Sequence, residues 1–357
     1  MSSVTQPVHV APRPPRRPPA ADSPVGALVT AFTDTYHLLL DPIDTRLWLK
    51  LSILCLFLGG GATSAAFHAA LSALPSEVGA PNALAYLRVF LARHPTMLLL
   101  AAALAVSLGV TLVYLRALFR FALVDSILRR EAHLREAIRE LRPLANSYFR
   151  WLVGALILMG VILAAGALVV MPYLRTADRE SLPTSLLLVL LLLGEALVGL
   201  LAALAITLTD DLVVPIIYAE REAMLAAWRR LLGQFRAEAG AFTLYILLRF
   251  VVSVGVGIAV LFFLFPALVT LFSGAIIVAV VVVMALQLVG LAWVWTPVTT
   301  LLAGAALLLL MAFLLILMGV AGMPGQIFLQ TFGMRFMAPR VPALARLWQE
   351  LTPRNQP

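Results

Sequence analysis

Glu195 is a candidate for chemistry because it interrupts a strongly hydrophobic stretch. It lies in LLLLGEALVGLL, near the middle of the run Pro183–Leu208. An ionised side chain at the centre of a membrane helix costs about 2.5–3.5 kcal/mol, so such residues normally face the interior of a helix bundle. One hypothesis is a proton or cation relay. The alternative is a protonated or hydrogen-bonded glutamate with a structural role.

Two other polar residues in hydrophobic stretches complete a candidate intramembrane polar site with Glu195. His68 shares a helix face with Thr63 and Ser64, and it is one candidate partner for Glu195. The alternative for His68 is a packing residue that is satisfied locally. Gln287 lies in a later hydrophobic run, where an amide can form hydrogen bonds between membrane helices.

Asp210 and Asp211 form a carboxylate pair in TLTDDLVVP, at the end of a hydrophobic run. Paired carboxylates suit acid–base catalysis or a divalent cation. However, a cation site needs more oxygen ligands than two aspartates supply, whereas Arg116, Arg120 and Arg249 supply the opposite charge. We therefore predict a salt-bridged structural cluster of these five residues at the cytoplasmic edge of the membrane.

The sequence contains no catalytic, metal or nucleotide motif. It has no HExxH, no CxxC and no GxSxG in a suitable context, and GGGATSAAF lacks the lysine of a phosphate-binding loop. Cys55 is the only cysteine, so no internal disulfide can form. We predict a protein that is not an enzyme and that binds no metal or cofactor.

The composition is that of a membrane protein. Hydrophobic residues make up 62% and charged residues 12% of the chain, against roughly 45–50% and 25% in soluble domains. No charged side chain occurs between Arg249 and Arg335. We predict an all-α, polytopic bundle of transmembrane helices. The net charge of +8 arises from arginines in inter-helix loops, which indicates anionic lipid headgroups and not nucleic acid as partners.

Seven hydrophobic runs are each long enough to cross a bilayer, which takes about 20 apolar residues per helix. Basic residues concentrate in the N-terminal arm and in the stretches Arg116–Arg150 and Arg221–Arg249. This distribution places these segments and the N-terminus in the cytoplasm. The seven runs are Leu47–Leu74, Thr96–Leu123, Trp151–Met171, Pro183–Leu208, Phe242–Phe265, Ala275–Trp295 and Val298–Gly322.

The C-terminal arginines conflict with an odd number of crossings. Seven crossings would place Arg335, Arg340, Arg346 and Arg354 outside, against the preference of basic residues for the cytoplasm. We therefore predict six crossings, with both termini in the cytoplasm and one re-entrant or bent segment around Pro266–Gly274. Seven crossings are the alternative.

The chain divides into three segments. Residues 1–25 are rich in proline and arginine and are predicted to be disordered. Residues 26–325 hold the transmembrane domain, and residues 326–357 form an amphipathic C-terminal tail. Residues 26–40 are predicted to form an interfacial helix, with an apolar stripe of Leu28, Phe32, Tyr36 and Leu39.

Two basic stretches repeat one pattern at an offset of ninety positions, as in Ile127 and Ile217. In each stretch a membrane helix continues into an amphipathic segment. Each stretch also ends in an aromatic cluster that is expected at the membrane interface. The pattern indicates either an internal duplication or two linkers that converged on one design. The aromatic clusters are Tyr148/Phe149/Trp151 and Phe242/Tyr245.

Four stretches resemble an uncharacterised family of bacterial multi-pass membrane proteins. The resemblance implies a helical membrane fold without an established activity, in the bacterial inner membrane. The third and fourth stretches are also similar to the membrane-domain superfamily found with glycerophosphodiester phosphodiesterases, whose soluble catalytic domain has no counterpart here. The four stretches are LLLDPIDTRLWLKLSILCLFLGGG, YLRALFRFALVDSILRREAHLREAIRELRPLANSYFRW, DDLVVPIIYAEREAMLAAWRRLLGQFRAEAGAFTLYILLRF and PGQIFLQTFGMRF.

These observations favour a non-enzymatic, multi-pass inner-membrane protein. It is expected to contact lipid headgroups, a partner protein or a second copy of itself through its cytoplasmic amphipathic helices. The alternative is a small-molecule or lipid transporter that uses Glu195, because many transporters are built from internal repeats. The two hypotheses differ in whether Glu195 lines a water-accessible cavity.

Overall fold

The computed structural model describes residues 23–41, 43–58, 95–175, 182–288 and 297–351. These residues form ten α-helices and one short π-helical segment, Thr209–Val213, with no strand among them. The predicted all-α fold is confirmed. The helices are α1 (Pro24–Leu39), α2 (Thr45–Leu58), α3 (Pro95–Arg129), α4 (Leu134–Arg175), α5 (Leu182–Leu208), α6 (Val214–Glu220), α7 (Met224–Ala237), α8 (Ala239–Leu288), α9 (Pro297–Met337) and α10 (Pro342–Leu351).

In the described part of the chain, five helical stretches are long and apolar enough to cross a membrane, as expected of a multi-pass membrane protein. Of the first predicted crossing, only the residues up to Leu58 lie in the described part. His68 and the N-terminal arm up to residue 22 lie outside it. The five stretches are Thr96–Arg129, Leu134–Met171, Val189–Glu220, Ala239–Val282 and Ala312–Met337.

The buried core lies at one end of the bundle. We call this end the basal layer; it comprises α1, α2, residues 117–152, 209–245 and 323–348. Its largest fully buried side chains include Phe121, Tyr148 and Tyr245. Farther along the long helices the apolar side chains are exposed, such as Leu168 and Phe263, each at 75%. Exposed apolar surface of this extent is what a bilayer covers.

The interfacial helix predicted for residues 26–40 corresponds to α1, which begins two residues earlier. It packs against α9 through small residues, because Ala27 and Ala31 are almost completely buried. Small side chains let two helices approach closely. Phe32 and Tyr36 of the predicted apolar stripe are 66% and 51% exposed. Leu39 of the stripe is buried in the core and Leu28 packs against it, so the stripe is divided between the core and the exposed surface.

Helix α8 runs without interruption from Ala239 to Leu288. A re-entrant segment around Pro266–Gly274 would break the helix, so this part of the prediction is wrong, whereas the alternative of a bent segment stays a prediction. Proline removes one backbone donor, and membrane helices tolerate this loss where nearby groups compensate. The carbonyl that loses its usual donor is that of Phe262, whereas Thr270 Oγ1 donates a hydrogen bond to the carbonyl of Pro266 itself (2.9 Å). The helix of 50 residues is about 75 Å long at 1.5 Å per residue.

The repeated sequence pattern has a repeated backbone geometry. Arg130 follows the end of α3 and Arg221 follows the end of α6, and their φ angles are 55° and 56°. Few non-glycine residues adopt this left-handed conformation. Helices α4 and α7 then begin at Leu134 and Met224. In each of the two repeated stretches, a residue in the left-handed conformation therefore ends a long apolar helix, and an amphipathic helix follows.

The C-terminal segment folds back onto the basal layer. A turn of residues 338–341 separates α9 from α10, and Trp348 of α10 is 8% exposed. The guanidinium of Arg335 lies 4.0 Å from the centroid of the Trp348 ring and also pairs with Asp34 of α1. Helices α1 and α10 therefore meet at the same end of the bundle.

Candidate functional site

The π-helical segment between α5 and α6 positions the two aspartates. The N–H of Val214 donates to the carbonyl of Thr209, an i→i+5 bond that widens the turn by one residue. Pro215 has no N–H and cannot donate to the carbonyl of Asp211, its usual helical acceptor. The carboxylates of Asp210 and Asp211 contact different sets of neighbours.

Asp210 receives donors from three helices. Nη2 of Arg116 lies 3.0 Å from Oδ2 of Asp210, and the hydroxyl of Tyr148 donates to Oδ1. Nε of Arg120 is 3.7 Å from the same Oδ1. Nε2 of Gln330 donates to the backbone carbonyl of Asp210 at 3.4 Å. Helices α3, α4 and α9 therefore converge on this residue.

Asp211 is the most deeply buried charge of the site, with a side chain that is 1% exposed. Nη2 of Arg120 donates to Oδ1 at 3.2 Å, and Nε of Arg249 donates to Oδ2 at 2.5 Å. The hydroxyl of Tyr245 lies 3.5 Å from Oδ2. Asp211 therefore connects α3 to α8.

We call Arg116, Arg120, Asp210, Asp211 and Arg249 the charge network; these are the five residues that the sequence placed together. Each carboxylate oxygen has at least one donor, and the network carries one more positive than negative charge. In the described part of the chain, no group of three or more His, Cys, Asp or Glu residues is placed to hold a metal ion. The geometry suits a clamp that fixes helices to one another.

The sequence analysis missed the tyrosines that complete this clamp. Tyr148 and Tyr245 were predicted to lie at the membrane interface, and both are fully buried. Their position beside the aspartates depends on how α4 and α8 pack, which no local pattern reveals. A phenol hydroxyl buried near a carboxylate usually forms a hydrogen bond with it, and both tyrosines do so here.

A second buried contact between the two repeated units was also missed. The hydroxyl of Tyr218 in α6 donates to Oδ1 of Asp125 in α3 at 2.6 Å. Nε of Arg129 donates to the same oxygen at 2.8 Å. Each unit therefore supplies one tyrosine to an aspartate of the other, as Tyr148 does for Asp210. The sequence signal was Asp125 itself, an acidic residue in the apolar stretch FALVDSIL.

Comparison with known protein families shows which family the chain belongs to. It matches a family of unknown function (DUF7544) over residues 23–347. The chain belongs to this family. The match covers all the helices that carry the charge network, and it agrees with the resemblance to an uncharacterised family. No curated protein and no solved structure matches the chain.

Within this member of the DUF7544 family, the described part of the chain contains two of the three predicted intramembrane polar residues, Glu195 and Gln287. Glu195 in α5 is half-buried, and its side chain lies directly against Gly166 of α4, where an added Cβ would overlap it. Its Oε1 has no hydrogen-bond partner among the described residues. Gln287 is exposed near the end of α8. His68 lies outside the described residues.

Proposed function

We propose that this protein is a non-enzymatic, multi-pass protein of the bacterial inner membrane that binds anionic lipid headgroups through its basal layer. Helix α7 is the observation that carries the proposal. Its buried face contributes Met224, Ala227 and Leu231 to the core. Its opposite face exposes leucines and arginines in one stripe: Leu225, Arg229, Leu232 and Arg236.

This exposed stripe has the composition of a helix that lies in the headgroup region. Leu225 is 66% exposed and Leu232 is 47% exposed, which is unfavourable in water and favourable beside acyl chains. Arginine side chains can extend from such a helix to lipid phosphates. Helix α7 ends at Ala237, and the apolar stretch Ala239–Val282 begins two residues later. The stripe would therefore lie next to the membrane boundary.

We predict that the purified protein prefers anionic to zwitterionic phospholipid. The measurement is the number of lipids retained per protein, by native mass spectrometry, with phosphatidylglycerol or phosphatidylcholine added to the detergent-solubilised full chain. Retention of phosphatidylglycerol should exceed that of phosphatidylcholine and should fall at high salt, because salt screens surface charges. Equal retention of both lipids at low salt would contradict the proposal.

The proposed topology has six crossings, with the N-terminus and the C-terminus in the cytoplasm. The ion pair between Asp34 and Arg335 supports it, because it joins the first and the penultimate described helices at one end of the bundle. Helix α8, about 75 Å long by its rise per residue, exceeds the hydrocarbon core of about 30 Å. In this topology α8 crosses once, and its surplus length is accommodated by tilting and by a bend at Pro266 that lets its last part lie along the far headgroups.

The side of the C-terminus provides a direct test of this topology. Arg346 is exposed on α10, so a cysteine placed there by Arg346→Cys on a Cys55→Ser background is accessible to reagents. We expect no labelling by a membrane-impermeant maleimide in intact spheroplasts and full labelling after lysis. Labelling of intact spheroplasts would indicate an odd number of crossings and reject the six-crossing topology.

Transport is a second candidate function, because Glu195 Oε1 is buried against α4 without a hydrogen-bond partner in the described part of the chain. A carboxyl group in this position can take up and release a proton during transport. The test is proton flux into liposomes that contain the protein, read with an internal pH-sensitive dye. If Glu195 carries the proton, Glu195→Gln should abolish the flux. The control Glu350→Gln, on the exposed face of α10, should leave the flux intact.

The similarity to membrane domains found with glycerophosphodiester phosphodiesterases stays a hypothesis. It would favour a role beside a lipid-modifying partner. Such a role is compatible with the proposed binding of lipid headgroups. A separate lipid-modifying enzyme that co-purifies with the full chain would support it.

A further inference from the structure

A shallow groove on the outside of α3 and α4 combines two arginines with two aromatic rings. Its volume is about 680 Å³, and it is open on one side. The rings of Tyr114 and Phe149 meet edge to face, with centroids 5.3 Å apart. The groove is lined by Tyr114 of α3 and by Arg142, Pro143, Asn146, Phe149 and Arg150 of α4.

The polar side of the groove has the chemistry of an anion site. Arg142, Asn146 and Arg150 recur every four residues and therefore share one face of α4. Neither arginine forms an ion pair with any residue in the described part of the chain. No acidic residue lies three or four positions from either arginine along the helix. All three residues are exposed, so their donors are available to a ligand.

The groove lies where the surface changes from polar to apolar. The face of α4 that carries Arg150 continues through Ile157 and Val161, which are 62% and 60% exposed. The face of α3 that carries Tyr114 continues through Val110 and Val106, which are 49% and 66% exposed. A ligand that filled the groove along both helices would therefore need an anionic head and an apolar tail.

We propose that this groove is a specific binding site for an anionic glycerophospholipid. The phosphate is held by Arg142, Asn146 and Arg150, and the acyl chains lie along the apolar faces of α3 and α4. Guanidinium groups form strong, charge-assisted hydrogen bonds with phosphate oxygens. Tyr114 and Phe149 contact the glycerol region, where aromatic rings are favourable. The inference rests on the proposed headgroup binding and names one site for it.

The test compares two double variants of α4 in the detergent-solubilised full chain. Arg142→Ala/Arg150→Ala removes both groove arginines. Arg135→Ala/Arg139→Ala removes two exposed arginines of the same helix that do not line the groove. Affinity for phosphatidylglycerol is measured by native mass spectrometry at low salt. Because each basic residue near an anionic lipid contributes on the order of 1 kcal/mol, the groove variant should bind the first lipid about 30-fold more weakly.

The control variant should retain the affinity of the wild type, and inorganic phosphate should not displace the lipid. Equal loss in both variants would show that binding depends on overall charge, which rejects the groove and leaves the proposed function intact. Displacement by inorganic phosphate would show that the site recognises a free anion and would also reject it. A wild-type protein without preference for phosphatidylglycerol over phosphatidylcholine would reject the proposed function as well.

Discussion

Replacing Asp211 by asparagine is expected to destabilise the folded protein by about 3–5 kcal/mol. The carboxylate is 1% exposed and is paired with Arg120 and Arg249. The amide keeps the shape of the side chain but removes its charge, so Arg249 loses the carboxylate that it pairs with and Arg120 keeps only its longer contact with Asp210 (3.7 Å). Breaking a buried pair from one side leaves an uncompensated charge, which costs far more than the pair contributes. Since most domains are stable by about 5–15 kcal/mol, this is a large fraction of the total.

The measurement is thermal unfolding in detergent, followed by circular dichroism and by the fraction of monodisperse protein. The matched control is Asp41→Asn, because Asp41 is 69% exposed and, among the described residues, pairs with His37 at the surface. Such exposed pairs contribute about 0–1 kcal/mol. If both variants melted at the wild-type temperature, Asp211 would not hold the helices together.

A double variant measures how strongly Asp211 and Arg249 interact in the folded protein. Asp211→Asn combined with Arg249→Met also removes the cation that Asp211→Asn leaves unpaired. Residues in direct contact have non-additive effects, so the double variant should be less destabilised than the sum of the two single variants. Additive effects would mean that Asp211 and Arg249 do not interact in the folded protein.

Gly333→Ala is expected to destabilise the protein by about 1–3 kcal/mol, the usual cost of inserting a methyl group into a packed contact. Gly333 in α9 lies against the π-helical segment. A Cβ at this position would be 2.5 Å from the backbone oxygen of Asp211 and 3.1 Å from its carbonyl carbon. Backbone atoms cannot move aside as a flexible side chain can, so α9 must shift away from the charge network.

Gly322→Ala in the same helix is the matched control. A Cβ there would meet no described atom within 4 Å, and alanine favours a helix over glycine by about 1 kcal/mol. We therefore expect this variant to melt at or above the wild-type temperature. The check is the difference in melting temperature between the two alanine variants, and a Gly333→Ala protein as stable as Gly322→Ala would contradict the described contact.

The two stability predictions concern one physical arrangement. The charge network links α3 and α8 through Asp211, whereas α3, α4 and α9 meet at Asp210. This linkage joins the helices of the basal layer at the end of the apolar stretches. Helices joined in this way would hold the exposed stripe of α7 and the groove of α3 and α4 at constant positions, which would favour the proposed lipid binding by lowering the entropy lost on association.

Local hydrophobicity and charge determined much of this protein before any tertiary contact was known. Long uncharged runs predict membrane helices, because a bilayer requires about 20 apolar residues per crossing wherever the helix packs. The five residues of the charge network were also predictable. Two carboxylates beside an apolar run need counterions, and Arg116, Arg120 and Arg249 are arginines at the ends of neighbouring runs.

The tertiary structure decided which groups meet. Whether Tyr148 reaches Asp210 depends on how helices rotate and approach one another, and periodicity along one helix does not contain that information. The buried face of α1 illustrates the same limit. Its periodicity placed Leu28, Phe32, Tyr36 and Leu39 on one stripe, but packing buries Leu39 together with Ala27 and Ala31 and leaves Phe32 and Tyr36 exposed. Composition specifies which helices enter the membrane, whereas packing between helices specifies the partners of each polar side chain.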